Sequence, residues 1–124
     1  VYYLFPNIIF TPTPEGAFLV REYPVEGSPH KSVSKISFYF YPEALEAAKQ
    51  MEVSPETGMN PLEELYNAFG SVIRDEDYMV AASSHQGLRS GNLDFLTFGR
   101  NEPALHHYHN TYREALGLQK LPLK

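Results

Sequence analysis

The sequence contains no cysteine. It therefore has no disulfide, no thiolate nucleophile, no zinc finger and no cysteine-ligated iron–sulfur centre of its own. It also lacks a surplus of basic residues. Ten Lys and Arg face fifteen Asp and Glu, a formal charge of -5, so no basic face offsets phosphates and nucleic acid is not an expected partner. No apolar run reaches membrane-spanning length, and no signal peptide precedes the first strand-like segment. Val1 opens directly on such a segment, without an initiator Met, which reads as part of a longer protein or a processed piece of one. There are no internal repeats and no low-complexity tracts.

What is present is a chain of 124 residues, 43% hydrophobic and 14% aromatic, enough apolar surface for the core of one domain, expected over residues 1–124. Its first third reads as strands. Tyr2-Tyr3-Leu4-Phe5 and Ile8-Ile9-Phe10-Thr11 flank Pro6-Asn7 and read as one buried strand with a bulge or kink. A turn at Pro12–Gly16 leads to a second strand, Ala17–Val25, and a loop from Glu26 to His30 leads to a third, Ser32–Tyr41. In that third strand Val33, Ile36, Phe38 and Phe40 do not share one face, so a bulge or burial on both faces is expected. Short polar turns between these strands imply an antiparallel meander.

The chain then becomes helical. Pro42 opens a short helix to about Met51, and a Ser-, Pro- and Gly-containing loop follows. A long helix is expected from Asn60-Pro61 to about Gly87, with Gly70-Ser71 marking a kink or a close approach of backbone. Leu93–Phe98 is a short strand or an irregular crossing. A final helix is expected from Asn101 as N-cap to Leu116, burying Leu105, Tyr108, Tyr112 and Leu116. Sheet first and helices after is an α+β pattern in which the helices close one face of the sheet.

The long helix breaks the rules of a plain core. At 3.6 residues per turn, Leu62, Tyr66, Phe69, Ile73, Val80 and Ser84 form one stripe. Glu76 and Asp77 fall on its shoulders, whereas Asp75 points away. A carboxylate turned inward is costly unless paired, protonated or bound to a metal. The alternative is a solvated turn neutralised by Arg74 or Arg89. His106 and His109, three apart on the last helix, are a weaker candidate metal pair; packing or subunit contact is the plainer reading.

Two stretches carry a family pattern. Arg74-Asp75-Glu76-Asp77-Tyr78, with His85-Gln86-Gly87-Leu88-Arg89-Ser90-Gly91 beyond it, and Phe98-Gly99-Arg100-Asn101-Glu102-Pro103-Ala104-Leu105-His106-His107-Tyr108-His109 resemble the C-terminal catalytic domain of Rieske-type aromatic-ring-hydroxylating oxygenase α subunits. The opening Tyr2-Tyr3-Leu4-Phe5-Pro6-Asn7 resembles that family's aromatic-Phe-Pro-Asn strand. The resemblance implies an incomplete helix-grip fold (START/Bet v 1-like, the SRPBCC class), a curved antiparallel sheet packed on a long helix. It implies a mononuclear non-haem Fe(II) held by two histidines and one carboxylate, with positions left open for O₂. By the family's Glu-Asp pair the carboxylate ligand is Asp77, with Glu76 as its neighbour and His85 where the family often has Gln. Phe69, Val72, Ile73, Val80 and Phe5 are the expected substrate-contacting residues.

The family's two iron-binding histidines and its Rieske [2Fe-2S] cluster come from segments upstream of this stretch, and none of His30, His85, His106, His107 and His109 matches the ligand motif. The resemblance thus makes this chain the C-terminal portion of a monooxygenase or dioxygenase catalytic domain, inactive in isolation. By resemblance its partners are an aromatic or apolar substrate, O₂ and reductase or ferredoxin electron donors, the assembly is a trimer, and the compartment is cytoplasmic. Two other readings compete: a non-catalytic helix-grip module that binds an apolar small molecule, and a structural subunit in which Asp75, Glu76 and Asp77 are surface charge.

Overall fold

The four strands run up and down in sequence order. In the computed structural model, which describes residues 1–122, β1 (Tyr2–Leu4), β2 (Ile8–Thr13), β3 (Gly16–Val25) and β4 (Ser28–Phe40) form one antiparallel sheet in the order β1-β2-β3-β4. The opening segment is thus a hairpin and not one kinked strand. Phe5-Pro6-Asn7 turns the chain so that Leu4 pairs with Ile8, and Asn7 is tied to β3 by its side-chain amide donating to the Glu22 carbonyl at 2.7 Å. The expected loop at 26–30 is also shorter. Gly27, at φ 68°, takes the left-handed conformation of a tight turn, and β4 begins at Ser28, with Pro29 on an edge strand that tolerates the missing donor.

Pairing register decides which residues share a face. Ile9, Val20 and Ile36 stand opposite one another, as do Thr11, Phe18 and Phe38, and so do Glu22 and Ser34. Val33 pairs with Tyr23 on the other face and is exposed. Regular alternation therefore explains the aromatic pattern of β4; its only register shift lies between Pro24 and Val25.

Helix α1 (Pro42–Gln50) starts on Pro42 and buries Ala48. Helix α2 (Pro61–Val72) starts from Asn60, whose side chain accepts from the backbone N–H groups of Leu62 and Glu63 while the Glu63 carboxylate accepts from the Asn60 N–H, a reciprocal capping box. Phe69 from α2 packs on Phe18 with ring centroids 4.4 Å apart, and Tyr66 meets Phe38 edge-on at 4.5 Å. Such tilted and edge-to-face pairs are favoured by the ring quadrupole. Phe18, Val20 and Ile73 are the buried apolar centre of this sheet–helix layer. The fold is α+β, with an open, curved sheet whose inner face carries α2.

Residues Ile73–Asp77 form one π-helical turn, and α3 (Tyr78–Arg89) continues beyond it. Gly70-Ser71 stays within α2, so the irregularity lies three residues later than expected. Gly87 does not stop α3 either; the chain turns after Arg89, with Gly91 at φ 74°. Residues 93–98 are irregular. Helix α4 (Pro103–Ala115) has Glu102 rather than Asn101 at its N-cap, and Leu105 and Leu116 of the expected buried stripe are exposed.

The chain divides into two compact units, one from Val1 to Ser84 and one from His85 onward. Two folded bodies of those sizes together expose about 8,000 Å² on the usual scaling of surface with mass. This chain exposes 10,040 Å², with Tyr2, Leu4, Phe5, Tyr39, Val72 and Val80 among its exposed large apolar residues.

Candidate functional site

The acidic turn is built by a change of helical register. Tyr78 N–H donates to the Ile73 carbonyl, five residues back, where an α-helix would close over four. One extra residue is accommodated, and every later residue is rotated by about 100° from the expected wheel. Ile73 remains buried at the start of the turn. Beyond it, Val80 and Ser84 fall outside the inward stripe and are exposed, and His85 is the half-buried position instead. A continuous 3.6-residue wheel misplaces these residues, since it assumes no insertion.

The three carboxylates differ in their surroundings. Asp75 receives two hydrogen bonds from Arg74, Nε to Oδ1 and Nη2 to Oδ2, both 2.7 Å. The Arg74 hydrogen bond holds the Asp75 carboxyl below the usual carboxylate range, and the same contact raises the Arg74 guanidinium. Asp75 is thus the neutralised surface acid that the solvated-turn reading described. Glu76 and Asp77 are exposed, and neither makes a hydrogen bond or an ion pair among the described residues.

Next to Asp77, Tyr78 reaches the sheet. Its hydroxyl donates to Glu22 Oε1 at 3.3 Å, and Ser34 Oγ, opposite Glu22 in the sheet, lies 2.6 Å from both carboxylate oxygens. Burial pushes the Tyr78 phenol up, with the Glu22 and Asp77 charges adding to the effect and a Ser34 hydrogen bond opposing it. Sequence reasoning missed this trio. Alternation along β3 puts Glu22 on the same face as Phe18 and Val20, and register sets it opposite Ser34.

The expected substrate-contacting residues separate into two groups. Phe69 and Ile73 are core residues of the sheet–helix layer, whereas Phe5, Val72 and Val80 are 48%, 52% and 58% exposed. A groove of about 240 Å³ lies beside α2, lined by Ile36, Phe38, Tyr66, Asn67, Gly70, Ser71 and Arg74; it includes none of the five. His85 is half-buried on α3. In α4, His109 stacks on Phe98 at 4.9 Å and His106 Nδ1 lies 3.3 Å from the Asn110 amide.

Among the described residues no three His, Cys, Asp or Glu side chains converge as a metal site. Asp77 is a single open carboxylate. No helix among the described residues is long and apolar enough to cross a membrane.

The family model for the catalytic domain of ring-hydroxylating α subunits matches residues 1–118. The chain belongs to that family. Comparison with curated proteins and with solved structures gave no match. Family membership places both the strand-rich first third and the acidic turn inside an oxygenase catalytic domain, so the chemistry to be accounted for is that of an oxidoreductase acting on aromatic rings.

Proposed function

We propose that the chain is the C-terminal portion of a ring-hydroxylating oxygenase α-subunit catalytic domain and that it contributes Asp77 as the carboxylate ligand of a mononuclear Fe(II). The observation that carries this reading is the open Asp77 carboxylate at the end of a π turn, beside an Asp75 already consumed by Arg74. Insertions of this kind in helices occur often at functional sites, and a carboxylate with two histidines is the donor set that suits Fe(II) while leaving positions open.

The two histidines and the Rieske cluster come, in this reading, from the rest of the α subunit, and the isolated chain is inactive. Bound Fe(II) supplies O₂ activation, with electrons delivered by reductase or ferredoxin partners through the cluster. This chain's own part is to present the carboxylate and to wall the site with apolar surface. The exposed Phe5, Val72 and Val80 supply that surface, and the area left uncovered on the chain supports their being covered by further polypeptide and by an aromatic or apolar substrate. Glu76 and His85 flank the ligand along the chain. The trimeric assembly and cytoplasmic location belong to the same proposal.

The test is Fe(II) content after dialysis of the α subunit that carries this chain, compared with its Asp77→Ala and Asp75→Ala variants. Loss of iron in Asp77→Ala and retention in Asp75→Ala is the expected result. Retention in both overturns the assignment; if an apolar fluorescent probe then binds the metal-free protein, the non-catalytic helix-grip reading replaces it.

A further inference from the structure

Ile73 and Tyr78 lie five residues apart, and both are tied toward the sheet. Ile73 is buried, and the Tyr78 hydroxyl is bonded to Glu22. In a continuous α-helix, positions five apart point about 140° away from each other, so one helix cannot aim both at the same surface. Closing the turn over five residues brings them back to one side, and the residues between them, Arg74 to Asp77, are displaced outward as an exposed bulge. The π turn and the two attachments therefore require each other.

Glu22 is itself held in place. Ser34 Oγ contacts both of its oxygens at 2.6 Å from the neighbouring strand, and the Glu22 backbone is bonded in both directions to Asn7. The acceptor that receives Tyr78 is thus fixed by β3, by β4 and by the β1–β2 turn, independently of the helix. From this we infer that Glu22, Ser34 and Tyr78 are positioning residues that lock the wide helical turn, and with it the direction in which Asp77 presents its carboxylate. Without the tether, the helix relaxes to α register, and the residues after Asp77 turn by about 100° relative to Ile73. The inference rests on the reading of Asp77 as a ligand, but the lock itself can be tested apart from it.

The experiment uses the α subunit that carries this chain, with Tyr78→Phe, Glu22→Ala, Glu22→Gln, Asp77→Ala and Asn60→Ala variants. Amide hydrogen exchange over 73–78 reads the turn, and Fe(II) content after dialysis reads the carboxylate. Tyr78→Phe keeps the ring and removes only the hydroxyl. It and Glu22→Ala are expected to speed exchange over 73–78 and to weaken Fe(II) retention about 10-fold, in the range found when a group supporting a metal ligand is removed. Glu22→Gln keeps an acceptor for the phenol and is expected to restore both readings to near wild type. Asn60→Ala, which loosens the start of α2 without touching the turn, is expected to leave both unchanged, separating the lock from general helix stability.

Unchanged exchange over 73–78 in Tyr78→Phe overturns the lock. Iron loss in Asp77→Ala together with full retention in Tyr78→Phe overturns the positioning role while leaving the ligand assignment standing. Retention of iron in Asp77→Ala overturns the ligand assignment, and the exchange data then still decide whether the lock exists.

Discussion

The backbone N–H of Tyr78 is bonded to the carbonyl of Ile73 while the Tyr78 hydroxyl is bonded to Glu22, 56 residues earlier in the chain. One residue thus closes an unusual helical turn and fastens it to the sheet. The consequence is local. The four residues between these anchors, Arg74, Asp75, Glu76 and Asp77, are exposed, although Ile73 immediately before them is buried.

The Tyr78 environment sets an alkaline limit. Its phenol is raised by burial above the ordinary value, so the native state holds that proton more tightly than the unfolded chain. The resulting stabilisation is fully present below the unfolded pKa of about 10 and is lost as pH rises through the higher native value. Tyrosinate absorbance across an alkaline titration is expected to show one late-titrating tyrosine that disappears in Tyr78→Phe.

The sheet–helix layer depends on Phe18. It is 4% exposed and touches the rings of both Phe38 and Phe69. Phe18→Ala is expected to cost about 3–5 kcal/mol, as for other buried phenylalanines, and Val72→Ala on the exposed side of α2 less than about 0.5 kcal/mol. Urea unfolding midpoints compare the two.

Two glycines are expected to respond in opposite directions. A Cβ at Gly16 would lie 1.8 Å from the Tyr39 carbonyl oxygen, whereas one at Gly87 would meet nothing within 4 Å. Gly16→Ala must spread the β3–β4 pairing and is expected to destabilise by about 1–3 kcal/mol or more. Gly87→Ala removes a flexible residue from within α3 and is expected to stabilise by up to about 1 kcal/mol. Thermal unfolding of both variants checks the difference in sign.

Loss of the α2 cap is expected to be costly in proportion to one N-cap. Asn60→Ala removes the acceptor for two backbone N–H groups, each 3.0 Å away, and is expected to cost about 1 kcal/mol. Asn60→Ser retains a capping oxygen and should recover most of it in the same urea titration.

Much of this architecture was legible in the chain. Alternation of apolar residues located β2, β3 and β4, Pro42 and Asn60-Pro61 marked the starts of α1 and α2, and the α+β class followed from strands preceding helices. The misreadings share a cause. The bulge or kink expected at Pro6-Asn7 is a hairpin turn, since both use the same residue types. The stripe beyond Ile73 was misassigned because a one-residue insertion leaves no mark in composition. Leu105 and Leu116 were assigned to a buried face by spacing alone, and periodicity shows which residues share a face but not whether another surface covers it.

By itself, the sequence determined the succession of strands and then helices, the absence of cysteine chemistry, and the acidic segment that carries Asp77, since local propensity and periodicity act over a few residues. Only the tertiary structure decided that Glu22 stands opposite Ser34, that Tyr78 reaches Glu22, and that the helix widens between Ile73 and Tyr78. Those outcomes depend on strand register and on a contact spanning 56 residues. Packing energy gained by the whole layer outweighs the preference of any one turn for α-helical closure.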